Sequence, residues 1–292
     1  MSLPLKPCDN PTPPARLYDA HNHLQDERFG GCQPDLLQVC RSLGLGRMVV
    51  NGSCESDWPD VARLARQHPE VLPSFGCHPW YVSERSPGWE SRLESFLDET
   101  PAAIGEIGLD RWKRGLDYAG QEEVFAAQMR IAARRNLPVS IHCLQAWGPL
   151  LDQLRRGPRP ARGFLLHSYG GPVELVPPLV SLGGYFSFPG YFLHHRKERQ
   201  RETFKKIPLD RLLVETDAPD QSPPDPSALA GDGASALADA FYPLPPDPHG
   251  RPRNHPANLR LVYLGLARIR DIPFAELAAL VERNFFRLFG GL

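Results

Sequence analysis

Short apolar runs rich in β-branched and aromatic residues alternate along this chain with longer segments whose apolar positions recur every three or four residues. The first pattern predicts strands, the second amphipathic helices. Eight runs of the first kind occur: RLYDAHNHL (16–24), RMVVNGSC (47–54), VLPSFGCHP (71–79), AAIGEIGLD (102–110), LPVSIHCLQ (137–145), GFLLHSYGG (163–171), GYFSFPGY (184–191) and RLLVETDAP (211–219). Between them, WPDVARLARQHPE brings Val61, Leu64 and Ala65 to helical spacing, and QEEVFAAQMRIAARRN does so with Val124, Phe125, Met129, Ile131 and Ala132. WESRLESFLDET behaves similarly. After the eighth strand, NLRLVYLGLARIR and PFAELAALVERNFFRLFG predict two further helices.

Strands that alternate with helices imply right-handed parallel units, and eight of them predict closure into a (β/α)₈ barrel of the TIM type, an α/β fold with extra C-terminal helices. A doubly wound open sheet is the rival, but it usually has fewer strands. The 292 residues fit one barrel domain over 17–292, after a flexible, proline-rich lead over 1–16. Segment 218–256 is rich in Pro, Gly, Ser, Ala and Asp. Following the eighth strand, it predicts a lid or substrate-contacting loop, with a disordered insertion as the alternative.

Composition narrows the partners. A net charge of -1 provides no global field to gather nucleic acid, although it leaves room for a local grip on a few phosphates. The six cysteines stand at 8, 32, 40, 54, 77 and 143 with no C-x-x-C among them, which predicts reduced thiols in a cytoplasmic protein. No run approaches a membrane span, and the first residues lack a signal-peptide pattern, so no membrane partner is expected. GLGR (44–47) matches neither a P-loop nor a dinucleotide fingerprint, and no organic cofactor is expected.

The chemistry gathers at the C-terminal ends of the predicted strands. Residues two apart in a strand share a face, so His21 and His23 point the same way, with Asp19. Alone, such a pair fits a core, a surface or a metal. Nearly every other run, however, also ends in a chemically capable residue: Asn51, His78, Glu106, His142, His167 and Asp217. That is the end where such barrels build their active sites. His21, His23, Glu106, His142, His167 and Asp217 could hold two divalent ions of Zn, Mg, Mn or Ni, with Glu106 bridging. Two ions roughly 3.5–4 Å apart activate water and stabilise attacking and leaving oxygens together. Asp217 is also placed to take a proton from that water, the rival reading being a helix N-cap near Pro219.

Arg111, Lys113 and Arg114 follow the Glu106 strand and could supply phosphate contacts, and so could the first residues of the basic run 194–206; the plainer reading is a solvated helix face. Trp80, Tyr81, Trp112 and Tyr191 could stack on bases or simply pack. Cys54, Cys77 and Cys143 also fall at strand ends, but a histidine adjacent in sequence points to the opposite face, which disfavours a cysteine nucleophile.

Taken in order, DAHNHL, GCHPW, GEIGLD, SIHC, LLHSYGG, LLVETDAP and RNHPANL resemble the TatD-type metal-dependent deoxyribonucleases, within the wider amidohydrolase-like hydrolases. The resemblance covers about residues 17 to 290. It implies a distorted (β/α)₈ barrel with divalent metals that hydrolyses phosphodiester bonds in DNA, at strand ends or in short single strands. It implies His21, His23, Glu106 and Asp217 as ligands of one metal and Glu106, His142 and His167 of the other. Asp217 then orients or deprotonates the attacking water, His78 lines the substrate pocket, and Asn254 lies in a closing N-x-P pattern. The chain departs from the pattern in three places. Leu144 stands where many relatives have an arginine, a natural phosphate clamp. His255 stands where glutamate is usual, and the loop before it is longer. Leu144 and that loop keep a second reading open, a metal-dependent hydrolase of a small amide, lactone or phosphoester. The oligomeric state is left open.

Overall fold

Strands buried along almost their whole length belong to a sheet covered on both faces, which is how parallel sheets occur. In the computed structural model of the protein, which describes residues 15–226 and 237–292, seven of eight strands have this character, and the remaining one, the second in sequence, is buried over its last four residues. The eight are β1 (Leu17–Asn22), β2 (Leu45–Asn51), β3 (Val71–Phe75), β4 (Ala103–Asp110), β5 (Val139–Leu144), β6 (Phe164–Leu166), β7 (Gly184–Pro189) and β8 (Leu212–Glu215). Each pairs in parallel with the next in sequence order. The fold is the TIM-type barrel that the alternation predicts.

Between the strands lie helices Gln33–Ser42, Trp58–Gln67, Trp89–Glu99, Tyr118–Arg135, Trp147–Arg156, Val176–Ser181 and Glu198–Lys206. They cover the outward residues of the strands. Phe75 of β3 meets Phe96, which also meets Trp58, and Phe188 of β7 meets Phe192 and Phe204. Each fully buried side chain of this size contributes on the order of 1.5–3 kcal/mol.

The ring closes through side chains as well as backbone. Between β1 and β8 the backbone bonds are Asp217 N–H to His21 O (2.9 Å) and His23 N–H to Ala218 O (2.7 Å). Below them the Asp19 carboxylate accepts both the backbone N–H (3.0 Å) and the hydroxyl (2.5 Å) of Thr216. At Tyr18 a helix takes over. The Tyr263 hydroxyl, from helix Leu259–Arg270, lies 3.0 Å from both the N–H and the carbonyl of Tyr18. From the last helix, Phe274–Phe289, Asn284 donates to the carbonyls of Leu209 and Leu212. The two C-terminal helices thus fasten the seam of the barrel.

Residues 1–14 of the expected flexible lead lie outside the described residues, as do 227–236 of the long loop. The rest of that loop is fastened down. Leu237 and Ala240 pack on Leu261, Pro243 bridges to Asn254, and Asp247 accepts from the amides of His249 and Arg251. Among the described residues after Asp217, only Asp220 and Gln221, at the start of that loop, line the cavity described below. No helix among the described residues is long and apolar enough to cross a membrane.

Candidate metal centre

Period-2 alternation aims alternate residues of each strand at the barrel axis, and the polar ones meet there. At the C-terminal end, Glu106 is the hub. Its Oε2 lies 3.0 Å from His23 Nε2 and 3.4 Å from His21 Nε2. Its Oε1 lies 2.8 Å from His167 Nε2, 3.1 Å from His142 Nδ1 and 3.4 Å from His78 Nε2. Asp217 Oδ1 stands 3.7 Å from His21 Nε2 and 3.6 Å from His23 Nε2. All six residues expected to bind metal therefore converge, and His78 joins them. No α-helix begins between 217 and 226, so Asp217 is not a helix cap. Its backbone is left-handed, with φ at 51°, and Gln221 donates to its Oδ2 at 2.7 Å.

Glu106 sits within β4, and the strand continues to Asp110. The ladder to β5 is irregular between Ile104 and Ile107, where Glu106 turns inward. Gly108 permits the close approach of the two strands: a Cβ there would lie 2.0 Å from the His142 carbonyl oxygen.

Outer partners decide which ring nitrogens face the cluster. His23 Nδ1 lies 2.8 Å from the Asn51 carbonyl, which can only accept, so its proton is there and the neutral ring turns a lone pair toward Glu106. His142 Nε2 lies 3.0 Å from Asp110 Oδ2, which likewise leaves Nδ1 as the acceptor facing Glu106. His142 Nδ1 and His167 Nε2 are 3.3 Å apart, as are the Nε2 atoms of His21 and His23. His23 Nε2 and His142 Nδ1, fixed as acceptors in the neutral rings, both face the Glu106 carboxylate, which also only accepts. Acceptors facing an acceptor call for a cation between them, either a proton or a metal, and this nitrogen and oxygen set suits a divalent ion. The residues present fit the metals that the ligand pattern implies.

His78 is different. Its Nδ1 accepts the Trp80 N–H (3.1 Å), so the neutral ring turns an Nε2–H toward Glu106, a donor meeting an acceptor. Burial holds it down at about 4. Burial also lowers His21, to about 3. Burial opposes a charge on His23 as well, but Glu106 and Asp217 overcome it and raise the ring to about 9. Burial pushes the Asp217 carboxyl up. At Asp110, hydrogen bonds from His142, the Lys113 amide and Trp80 outweigh burial and hold the carboxyl below the usual range.

The cluster opens into a cavity of about 640 Å³. Trp80, Tyr81, Trp112 and Tyr191 all line it, with Leu144, Arg28 and Lys197. Arg111 does not: its guanidinium stacks on Tyr118, 4.0 Å from the ring centre. Lys113 lies over Trp80 instead of lining the cavity, and neither it nor Arg114 reaches the wall. Asn254 is also displaced from the expected role. It is buried, donates to the Thr216 carbonyl and accepts from Asn258, so it braces the turn after β8 and has no free group for substrate. Asp19 touches no histidine ring; the His21 ring is held by Ser140 Oγ at 2.7 Å. The five described cysteines are free, and burial pushes the Cys77 thiol up to about 12, unlike an activated nucleophile.

Sequence reasoning missed Asp110, Ser140, Glu215, Gln221 and Arg28. Ser140 carried a readable signal, standing two residues before His142 in β5 and therefore one layer deeper on the same face. Glu215 accepts from Ser168 and Ser187 and lies 3.7 Å from His167 Nδ1.

Comparison with known proteins adds an independent line. The family model described as TatD related DNase matches residues 18–290. A curated protein of Escherichia fergusonii named 3'-5' ssDNA/RNA exonuclease TatD is 30% identical over 280 residues, covering 94% of this chain and 99% of its own. The Escherichia coli protein YjjV, named an uncharacterized metal-dependent hydrolase, is 27% identical, covering 94% of this chain and 98% of its own. The crystal structure of YjjV matches with a TM-score of 0.82 over 95% of this chain and 99% of that one. A hydrolase TatD family protein of Entamoeba histolytica, at 19% identity and a TM-score of 0.78, covering 94% of this chain and 98% of its own, shares the fold.

Proposed function

This chain belongs to the TatD related DNase family, and on that premise we propose that it is a divalent-metal-dependent hydrolase of phosphodiester bonds in DNA, acting on strand ends or short single strands. The observation that carries the reading is the ring of histidine and carboxylate acceptors around Glu106. His21, His23, Glu106 and Asp217 hold one ion, and Glu106, His142 and His167 hold a second. The ions supply charge to polarise a phosphoryl oxygen and to make water a better nucleophile near neutral pH.

The remaining work falls to side chains. Asp217 takes the proton of the attacking water through Oδ1, while Gln221 steadies Oδ2. Asp110 fixes the His142 tautomer, and Asn51 that of His23. His78 directs an N–H toward Glu106 at the floor of the cavity, where a substrate oxygen would enter. Trp112, 58% exposed on the cavity rim, offers a face for a base. Five free thiols among the described residues are in keeping with the cytoplasm.

One observation favours a second reading, hydrolysis of a small amide, lactone or phosphoester. Leu144, 37% exposed, presents an apolar wall where a phosphate clamp would be useful. A matrix of Zn, Mn, Mg and Ni against labelled single-stranded DNA, duplex DNA, RNA and a simple phosphodiester separates the two. Single-stranded DNA is expected to be cleaved, and cleavage of no nucleic acid with any metal would shift the assignment to the small-substrate reading. Asp217→Asn should reduce hydrolysis by about 100-fold or more, the scale of losing a positioned general base, with its circular dichroism spectrum unchanged. Full activity in that variant would remove Asp217 from the proton-transfer role.

A further inference from the structure

Four carboxylates line the cavity, Asp26, Glu106, Asp217 and Asp220, against two permanent cations, Arg28 and Lys197. The two cations differ in their circumstances. Arg28 is committed to protein: its guanidinium donates to Asp26 at 2.8–3.0 Å and to Asp220 at 2.6–2.9 Å. Two carboxylates thus neutralise it, and it ties the loop after β1 to the turn after β8. Lys197 makes no ion pair within 4 Å among the described residues. Its ammonium lies instead over the ring of Tyr191, 4.5 Å from the centroid, and 5.9 Å from that of Phe192. Aromatic faces hold an ammonium in place without cancelling its charge, so it stays available to an anion.

The perch itself is fixed. Tyr191 belongs to a single turn, Gly190–Leu193, that follows β7 directly. A Cβ at Gly190 would come within 3.1–3.3 Å of Pro223 and Val262, so the turn is seated against its neighbours. Arg196 donates to the Tyr191 hydroxyl at 2.6 Å, holding the ring from its far end. Lys197 itself is half-buried in the cavity wall and forms no ion pair with Glu106 or Asp217, so it stands apart from the reacting centre.

We propose that Lys197, held on the Tyr191 ring, binds a phosphate of the nucleic-acid strand other than the one being cleaved, and so determines a preference for polynucleotides over esters with a single phosphate. The inference deepens the nuclease reading and rests on it. A lysine is a compact point charge that accepts a phosphate in many orientations, which suits a flexible single strand. It also supplies, from the β7 side, the positive charge that Leu144 does not provide at the end of β5.

The test compares Lys197→Met and Lys197→Arg with the unmodified protein, metal-loaded, on a single-stranded oligonucleotide and on bis(p-nitrophenyl) phosphate. Lys197→Met should lower kcat/KM for the oligonucleotide about tenfold more than for the small ester, mainly through KM, and Lys197→Arg should recover most of it. Binding of single-stranded DNA to the Asp217→Asn variant should show a log–log salt slope that falls by about 0.7 when Lys197→Met is added, the loss of one phosphate contact on a single strand. Thermal melts show that each variant is folded. Equal losses on the two substrates, or an unchanged salt slope, would overturn the role of Lys197. If the unmodified protein hydrolyses the small ester and no nucleic acid, the nuclease reading itself falls, a different result from an unresponsive Lys197.

Discussion

Two of the converging groups have a polar residue two positions earlier, Ser140 before His142 and Glu215 before Asp217, and so does His21, preceded by Asp19. Within a strand this is a rule of depth, and it holds for Asp19 and Ser140: the earlier residue lies one layer further into the barrel on the same face, whereas Glu215 ends β8 and Asp217 follows it with a left-handed backbone. The three then do different things. Ser140 reaches across to the His21 ring, Glu215 lies beneath His167, and Asp19 spans the seam to Thr216. Asp110 follows Glu106 by four and has the most consequential contacts of the residues that sequence reasoning passed over. One oxygen receives His142 and the Trp80 indole N–H (2.7 Å), and the other receives the amides of Trp112 and Lys113. It therefore holds a metal-facing ring and the aromatic wall in register. Asp110→Asn should weaken metal affinity by about 10–100-fold, the usual cost of losing an orienting partner. A metal titration followed by calorimetry measures this, and an affinity equal to that of the unmodified protein would show that His142 does not depend on Asp110.

At the scale of elements, the strands were more legible than the helices. Each strand run carries a dense apolar core, and every run but the seventh, GYFSFPGY, ends in a chemically capable polar residue, so period and termination agree. Helices Trp58–Gln67, Trp89–Glu99 and Tyr118–Arg135 have clear apolar stripes and lie within a few residues of their predicted bounds. Gln33–Ser42 and Trp147–Arg156 begin with proline near the first turn, which reads as a break unless the helix start is recognised, and Val176–Ser181 is six residues long. Glu198–Lys206 buries only Thr203 and Phe204, so its charges dominate the pattern. The two C-terminal helices were readable as helices, but their task was not, because it depends on a single hydroxyl. Tyr263 satisfies a donor and an acceptor of β1 that the seam leaves without strand partners. Tyr263→Phe keeps the ring and strands those backbone groups, which should cost about 1–3 kcal/mol. Urea unfolding should show the midpoint lowered in proportion. A midpoint shift of zero would mean that the seam needs no bridging hydroxyl.

For the whole molecule, the site sets a tension that the rest of the barrel must contain. Five histidines and the carboxylates of Glu106 and Asp217 share one buried region, and the barrel pays for bringing so many acceptors together. The seam contacts, the Arg28 link between loops and the helical cover supply the compensating stability. They also hold the groups in one arrangement, so that an ion meets a formed site rather than assembling one. The same geometry makes ion binding a stabilising event for the entire fold, since the unfolded chain offers no such convergence. At an ion concentration of about 100 times Kd, binding should add about 2.7 kcal/mol to stability. For a domain of this size that corresponds to a rise in Tm of about 5 °C. Thermal melts before and after chelation should show the difference, and re-addition of the ion should restore it. Replacing both His21 and His23 by asparagine should shrink the ion-dependent part of the shift, because two ligands of one of the two ions are lost while Glu106, His142 and His167 remain. A chelated protein that melts at the same temperature as the loaded one, at saturating ion, would show that the acceptors around Glu106 are held together by protons alone.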